Sequence, residues 1–163
     1  QTISRRIEGN DPDTIPKLFY AKGNYYTLTG NNPFNHLIYP VPVANGLGTH
    51  SSMDMGGQTK FGPDVEWVDD IDYVVDPKRG DSFYASIRRF WPGLPDGSIQ
   101  PGYSGIRPNL IGPGGKTLNT DFIIQGRADH GIEGMVNLYG IESPGLTSSM
   151  AIADYVLERL ERG

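Results

Sequence analysis

The chain has no cysteine among its 163 residues. Disulfides and thiolate metal ligands are therefore excluded, and a reducing compartment, the cytoplasm, is the expected setting, with peripheral membrane contact left open. No apolar run approaches the ~20 residues that cross a bilayer as a helix. Positive charge is scarce: 14 Lys and Arg against 19 Asp and Glu leave a net charge of −5. That balance argues against a nucleic-acid partner held on a basic surface. A G-x-G-x-x-G turn is missing as well. The nearest glycine clusters, Gly112-Pro113-Gly114-Gly115 and Met55-Gly56-Gly57, have the wrong spacing or a proline and read as turns. No internal repeat or low-complexity tract occurs.

Gly and Pro are abundant instead, at 22 and 13 residues, and they cut the chain into short segments that suit strands and turns better than a helical bundle. Residues Gly23–Thr29 and Leu37–Val43 read as strands, the second with an irregular end at Pro40 and Pro42. Gly46–Ser52 and Gln58–Phe61 flank Asp54-Met55-Gly56-Gly57, where glycine supplies the positive φ of a hairpin. Tyr103–Arg107, Asp121–Gln125 and Met135–Tyr139 complete the strands. Lys60–Asp64 and Trp91–Pro101 read as loops. Ser82–Trp91 should be a helix, with Phe83, Ile87 and Phe90 on one face and Pro92 ending it. The expected fold class is α+β, a mainly antiparallel (mixed) β-sheet with helices on one side.

The most specific stretch is Tyr139-Gly140-Ile141-Glu142-Ser143-Pro144-Gly145-Leu146-Thr147-Ser148-Ser149, which leads into an amphipathic C-terminal helix. Ser143 is a suitable N-cap and Pro144 a suitable first helical residue. Gly145 leaves the first turn without a Cβ, so a ligand can approach the unpaired N–H groups there. Leu146, Met150, Ala153, Leu157 and Leu160 recur at helical steps and should form a packing stripe.

Together with Tyr103-Ser104-Gly105-Ile106-Arg107-Pro108 and Gly46-Leu47-Gly48-Thr49-His50, the stretch from His130 to Leu160 resembles the flavin-dependent oxidoreductases of the D-amino-acid oxidase and glycine oxidase superfamily. Its nearest likeness is to the L-2-hydroxyglutarate dehydrogenase branch, and it extends from about Lys22 to the end. The resemblance implies FAD as cofactor, held in part by Gly140, Ile141, Glu142, Ser143, Pro144, Gly145, Leu146 and Thr147. It implies that residues 1–125 form a substrate-binding β-rich domain and residues 126–163 a flavin-contacting loop and helix. Such enzymes carry G-x-G-x-x-G on an N-terminal Rossmann unit. Its absence, and a start at Gln1, suggest the C-terminal part of a longer polypeptide whose N-terminal FAD-binding half is the partner. Alone, that part should be inactive and should self-associate through its uncovered helix stripe.

Arg107 can clamp a carboxylate through two parallel hydrogen bonds. By itself an arginine reads as a surface ion pair; the resemblance of Gly105-Ile106-Arg107-Pro108 to the G-x-R-P of amino-acid oxidases implies that it binds a small carboxylate substrate. His50 is either a structural hydrogen-bonding residue or, as the resemblance implies, the base that takes a hydroxyl proton as hydride leaves the neighbouring carbon. Tyr103 donates to substrate or fills the core. His130 contacts cofactor or closes its turn, and His36 reads as a strand-entry residue. Glu142 should turn away from the flavin, leaving the backbone of residues 143–147 to face it.

Two other classes fit parts of the chain. A hydrolase or metal enzyme would gather His36, His50, His130 and several Asp around a metal, but no close H-x-H or H-x-x-x-H spacing occurs. A non-catalytic β-rich ligand-binding or interaction module would use Trp67, Trp91 and the tyrosines as its contact surface.

Overall fold

Buried and half-buried side chains alternate along Phe19–Leu28, which forms strand β1 in a computed structural model that describes residues 1–41, 48–114 and 121–162. Lys22, Asn24, Tyr26 and Leu28 point to the buried face. The described chain clusters into two units, Tyr20–Arg107 and a second one made of Gln1–Phe19 with Pro108–Gly163.

In the first unit, β2 (His50–Met53) and β3 (Thr59–Gly62) form the expected hairpin around Asp54. Asp54 Oδ1 accepts from the Gly56 and Gln58 N–H groups at 2.9 and 3.0 Å, and Gly57 takes φ +81°. β1 pairs antiparallel with β3 and with β4 (Glu66–Val68), and it also pairs with β5 (Ile99–Asn109). Helix α1 (Gly80–Arg88) covers one face of this sheet. Gly80 lets it approach, since a Cβ there would stand 3.0 Å from the Tyr26 ring. Phe83 and Ile87 of α1 meet Tyr26, Leu28 and Phe61, with Val75, Leu94 and Ile99 closing the core. Full burial of side chains such as Phe61 and Ile87 stabilises by about 1.5–3 kcal/mol each.

Several polar groups on the buried face find partners, while Asn24 Oδ1 and Ser51 Oγ have none among the described residues. Lys22 Nζ donates to the Val74 carbonyl at 2.6 Å. Asp64 accepts from the Asn24 N–H and Nδ2 at 2.9 and 3.0 Å and from Arg79 Nε at 2.7 Å.

The second unit holds a two-stranded antiparallel sheet, β6 (Ile123–Gln125) with β7 (Asn137–Tyr139), the short helix α2 (Arg127–His130) and the terminal helix α3 (Ser149–Arg162). Gln125 Nε2 donates to the Thr14 carbonyl at 2.8 Å, tying the N-terminal segment to β6.

Antiparallel pairing with few helices is the expected α+β class, but several boundaries differ. Residues 37–41 make only one bridge, Ile38 to Ser51, because Pro40 has no N–H to extend a ladder; Pro42, Val43, Gly46, Leu47 and Gly115 lie outside the described residues. Lys60, Phe61 and Gly62 are strand rather than loop, since β3 is paired on both sides. β5 begins at Ile99, inside the expected loop, because Ile99 belongs to the core. α1 starts two residues before Ser82 and ends at Arg88, where i→i−3 bonds from Arg89 and Phe90 tighten the chain before Pro92.

The largest correction concerns α3. It begins at Ser149, so Ser143 is no N-cap and Pro144 is not its first residue. Turns precede it: Ser148 N–H donates to the Pro144 carbonyl, Ser149 N–H to that of Leu146, and the Ser148 hydroxyl to that of Pro144 at 3.1 Å. The half-buried side chains of α3 are Ile152, Val156 and Arg159, while Leu146 and Met150 of the expected stripe are 91% and 78% exposed.

Candidate active site

Strand register places the candidate residues of the first unit. Tyr26 and Phe61 are cross-strand partners in the core, as are Ser51 and Phe61. Their sequence neighbours point the other way, so Tyr25, Thr27, Lys60, Gly62, His50 and Ser52 share the sheet face opposite α1. On β5, Tyr103, Gly105 and Arg107 fall on one face by the same period, and Tyr103 stacks on Tyr25 at 4.5 Å between ring centroids. Arg107 thus belongs to the face that carries His50.

Two rings flank His50 on that face, and a third stacks on one of them. Tyr39 stacks on its imidazole at 4.4 Å, Tyr25 meets it edge-on at 6.2 Å, and Tyr103 lies behind Tyr25. His50 is only 6% exposed, and its Nδ1 has no hydrogen-bond partner among the described residues. Burial pushes its pKa below the ordinary histidine value, opposed by the Gly48 backbone, so the ring is neutral at pH 7. The Tyr25 hydroxyl shifts upward, through burial first and then Tyr103, with Arg107 opposing; it stays a neutral donor.

Gly62 makes room for this arrangement. It pairs with His50 across β2 and β3 and takes φ +145°. A Cβ there would lie 2.6 Å from the Asn24 carbonyl oxygen and 2.8 Å from Tyr25 Cδ1. Tyr25, Tyr39, Lys60 and Gly62 were absent from the sequence-derived candidates. Alternation about Tyr26 was the signal available for Tyr25; the other three depend on register.

The expected flavin loop belongs to the second unit. Gly140 takes φ +68°, and a Cβ there would meet Leu110 Cδ1 at 2.6 Å. Gly145 is equally closed, 2.7 Å from Ile141 Cγ2 and close to the Glu142 carbonyl, which accepts its N–H. Ser143, Pro144, Leu146 and Thr147 are exposed, while Ile141 and Glu142 are half-buried. A tight, glycine-bearing turn with Ser143, Pro144, Leu146 and Thr147 exposed lets a planar heterocycle such as an isoalloxazine approach the backbone, so the loop fits the cofactor that the sequence implies.

His130 is buried and its Nδ1 accepts from the Ile132 N–H at 3.2 Å, which closes the turn after α2. His36 is exposed in a bend, not at a strand entry. Trp91 packs on the core, and Trp67 is partly exposed. No three His, Asp or Glu among the described residues gather as a metal site, and no described helix is long and apolar enough to cross a membrane.

Comparison with known proteins adds an independent finding. The family described as FAD dependent oxidoreductase matches residues 4–159. The chain is 49% identical to a mitochondrial L-2-hydroxyglutarate dehydrogenase of Arabidopsis thaliana, over 99% of its own length and 36% of the relative's. It is 30% identical to a glycerol 3-phosphate dehydrogenase of Caloramator mitchellensis, over 98% of this chain and 31% of that one. Among solved structures, the dithionite-reduced L-alpha-glycerophosphate oxidase of Mycoplasma pneumoniae with FAD bound is similar in fold, with a TM-score of 0.67 at 21% identity, covering 98% of this chain and 40% of the other. The chain therefore spans about a third of the length of the curated relatives it matches.

Proposed function

The chain belongs to the FAD dependent oxidoreductase family, and on that premise we propose that it is the substrate-binding part of an enzyme that oxidises a small 2-hydroxy acid, with L-2-hydroxyglutarate as the leading substrate and an amino acid as the competitor. FAD, when bound, supplies the acceptor for the hydride that leaves the substrate's α-carbon. His50 takes the hydroxyl proton in the same step, a role that a neutral imidazole fills near pH 7. Arg107 grips the α-carboxylate through its planar fork, and Tyr103 orients the acid beside it.

The observation that carries this reading is a buried, neutral imidazole on the same sheet face as an exposed guanidinium, with tyrosine rings around the histidine. Residues 1–125 supply this substrate side. Residues 126–163 supply the flavin loop, where the backbone of residues 143–147 would face the ring and stabilise the charge that builds there. The Rossmann half lies elsewhere in the same polypeptide and covers Leu146 and Met150. Residues 1–163 alone are inert and self-associate through those side chains. A segment without cysteine suits a reducing compartment such as the cytoplasm.

The test is a visible spectrum of the full-length parent during anaerobic addition of L-2-hydroxyglutarate, then glycine and D-amino acids. Bleaching of a flavin band by the hydroxy acid supports the reading; bleaching by an amino acid moves the substrate to the competing class. A colourless protein that takes up no FAD would leave only a binding module.

A further inference from the structure

Lys60 is a lysine in an unusual place. Lysines in sheets commonly stand on edge strands, where they discourage pairing. Lys60 sits on β3 between β2 and β1, opposite Ser52 and Thr27, on the face that carries His50 and Tyr25. Its ammonium lies 5.3 Å from the centroid of the Tyr103 ring, and Tyr103 belongs to the stack beside His50. We propose that Lys60 is a second anion anchor on this face, so that the acid oxidised there carries two carboxylates. This deepens, and rests on, the hydride-transfer reading above.

Asp54 does not exhaust Lys60. The nearest approach of Lys60 Nζ to Asp54 Oδ2 is 3.4 Å, longer than a strong charge-assisted bond. Asp54 Oδ1 is committed to the Gly56 and Gln58 N–H groups of the hairpin. An ammonium has three donors, so one can face Asp54 while another remains for a ligand. Asp54 then holds Lys60 in place over Tyr103. The other well-enclosed cations of this unit point into the fold: Lys22 donates to the Val74 carbonyl, and Arg79 meets Asp64 and Glu66. Both serve the buried network.

Arg107 and Lys60 flank the ring stack from two different partner strands of β1. From Tyr103, beneath Lys60, to Arg107 is about 13 Å of strand, a separation that two long side chains can close over a four- or five-carbon diacid. A monoacid would leave the ammonium over Tyr103 with Asp54 alone. A diacid places one carboxylate on each cation and the reacting carbon between them, near His50. The second carboxylate takes no part in the chemistry; it selects and orients.

The experiment uses the FAD-loaded full-length parent and its Lys60→Met and Lys60→Arg variants, assayed with an artificial electron-accepting dye. The substrates are L-2-hydroxyglutarate and (S)-2-hydroxyvalerate, which has a methyl where the distal carboxylate stood. The expected result is a fall of about 10- to 100-fold in kcat/KM for the diacid in Lys60→Met, with the monoacid changed by less than about threefold, and substantial recovery in Lys60→Arg. The unchanged monoacid rate also reports that the variant is folded. Equal losses on both substrates would show that Lys60 only braces the hairpin and would overturn the proposal. So would a wild-type enzyme that oxidises the monoacid as well as the diacid, and in that case the hydride-transfer reading survives. Oxidation of neither acid by a flavin-loaded wild type would overturn both.

Discussion

Replacing Gly62 by alanine should disable the candidate site by a route that involves no chemistry. The added Cβ would lie 2.6 Å from the Asn24 carbonyl oxygen, 2.8 Å from Tyr25 Cδ1 and 3.1 Å from Tyr25 Cγ, at a φ of +145° that L side chains rarely adopt. Asn24 cannot swing aside, because it is fully buried and its N–H and Nδ2 are bonded to Asp64 at 2.9 and 3.0 Å. Tyr25 must yield, and it is stacked on Tyr103 and in edge contact with His50. Backbone strain of this kind costs about 1–3 kcal/mol, and overpacking about the same again. The sum, about 2–6 kcal/mol, is a large part of a typical domain's 5–15 kcal/mol. Hydrogen exchange in the FAD-loaded full-length parent, read on peptides covering β1 and β3, should accelerate by about 30-fold or more, the equivalent of about 2 kcal/mol. Gly105→Ala is the control: nothing stands within 4 Å of its Cβ, so protection should be unchanged or slightly higher. If Gly62→Ala keeps wild-type protection and activity, the close packing of β1 on β3 inferred here is wrong.

For the parent enzyme, kcat/KM should fall as pH drops, with its acid limb below the ordinary histidine value of about 6.5, because burial disfavours the His50 imidazolium. The sign for stability is the same: the unfolded chain takes the proton first, so stability is lost as pH falls below the unfolded value. A limb above 6.5, or one that survives in His50→Gln, refutes the assignment. Arg107→Lys keeps the charge but loses the planar fork, and KM for the acid should rise about tenfold or more; an unchanged KM would return Arg107 to a surface ion pair. Asp64→Asn turns an amide toward Asn24 and Arg79, and urea titration should show about 1–3 kcal/mol of lost stability. A shift under about 0.5 kcal/mol would mean the network is incidental to the fold.

Local chemistry made some of this legible. The hairpin at Asp54 was readable because an aspartate followed by two glycines leaves the backbone few alternatives, and α1 because its apolar residues repeat at helical steps before a proline. Elsewhere tertiary pairing overrode the local signal. Gly62 reads as a loop residue, yet it ends β3 in register with His50 and lies close against Tyr25, while Pro63 is loop as expected. Tyr25 and Tyr26 are adjacent tyrosines, and nothing local says which one meets α1; only the partner Phe61 decides it. At α3 the cap signal of Ser143 and Pro144 marks a turn, and the helix itself begins only at Ser149. The apolar stripe there was real as a pattern, but the pattern does not say what covers it.

One physical cause accounts for the protonation states around His50. Burial lowers a histidine pKa and raises a tyrosine pKa, and both shifts favour the neutral form: His50 loses its proton more readily, and Tyr25 keeps its own. Arg107 and Lys60 bring a guanidinium and an ammonium to the same face. An arriving acid meets cations that bind it and, beside them, an imidazole free to take a proton. Were His50 fully exposed, its pKa would sit closer to neutrality and a larger share would be protonated and unable to act as a base. The tyrosine rings that enclose it therefore do more than fill space: by excluding water they keep the base in its working form, while Gly62, by having no side chain, lets Tyr25 come close enough to do so.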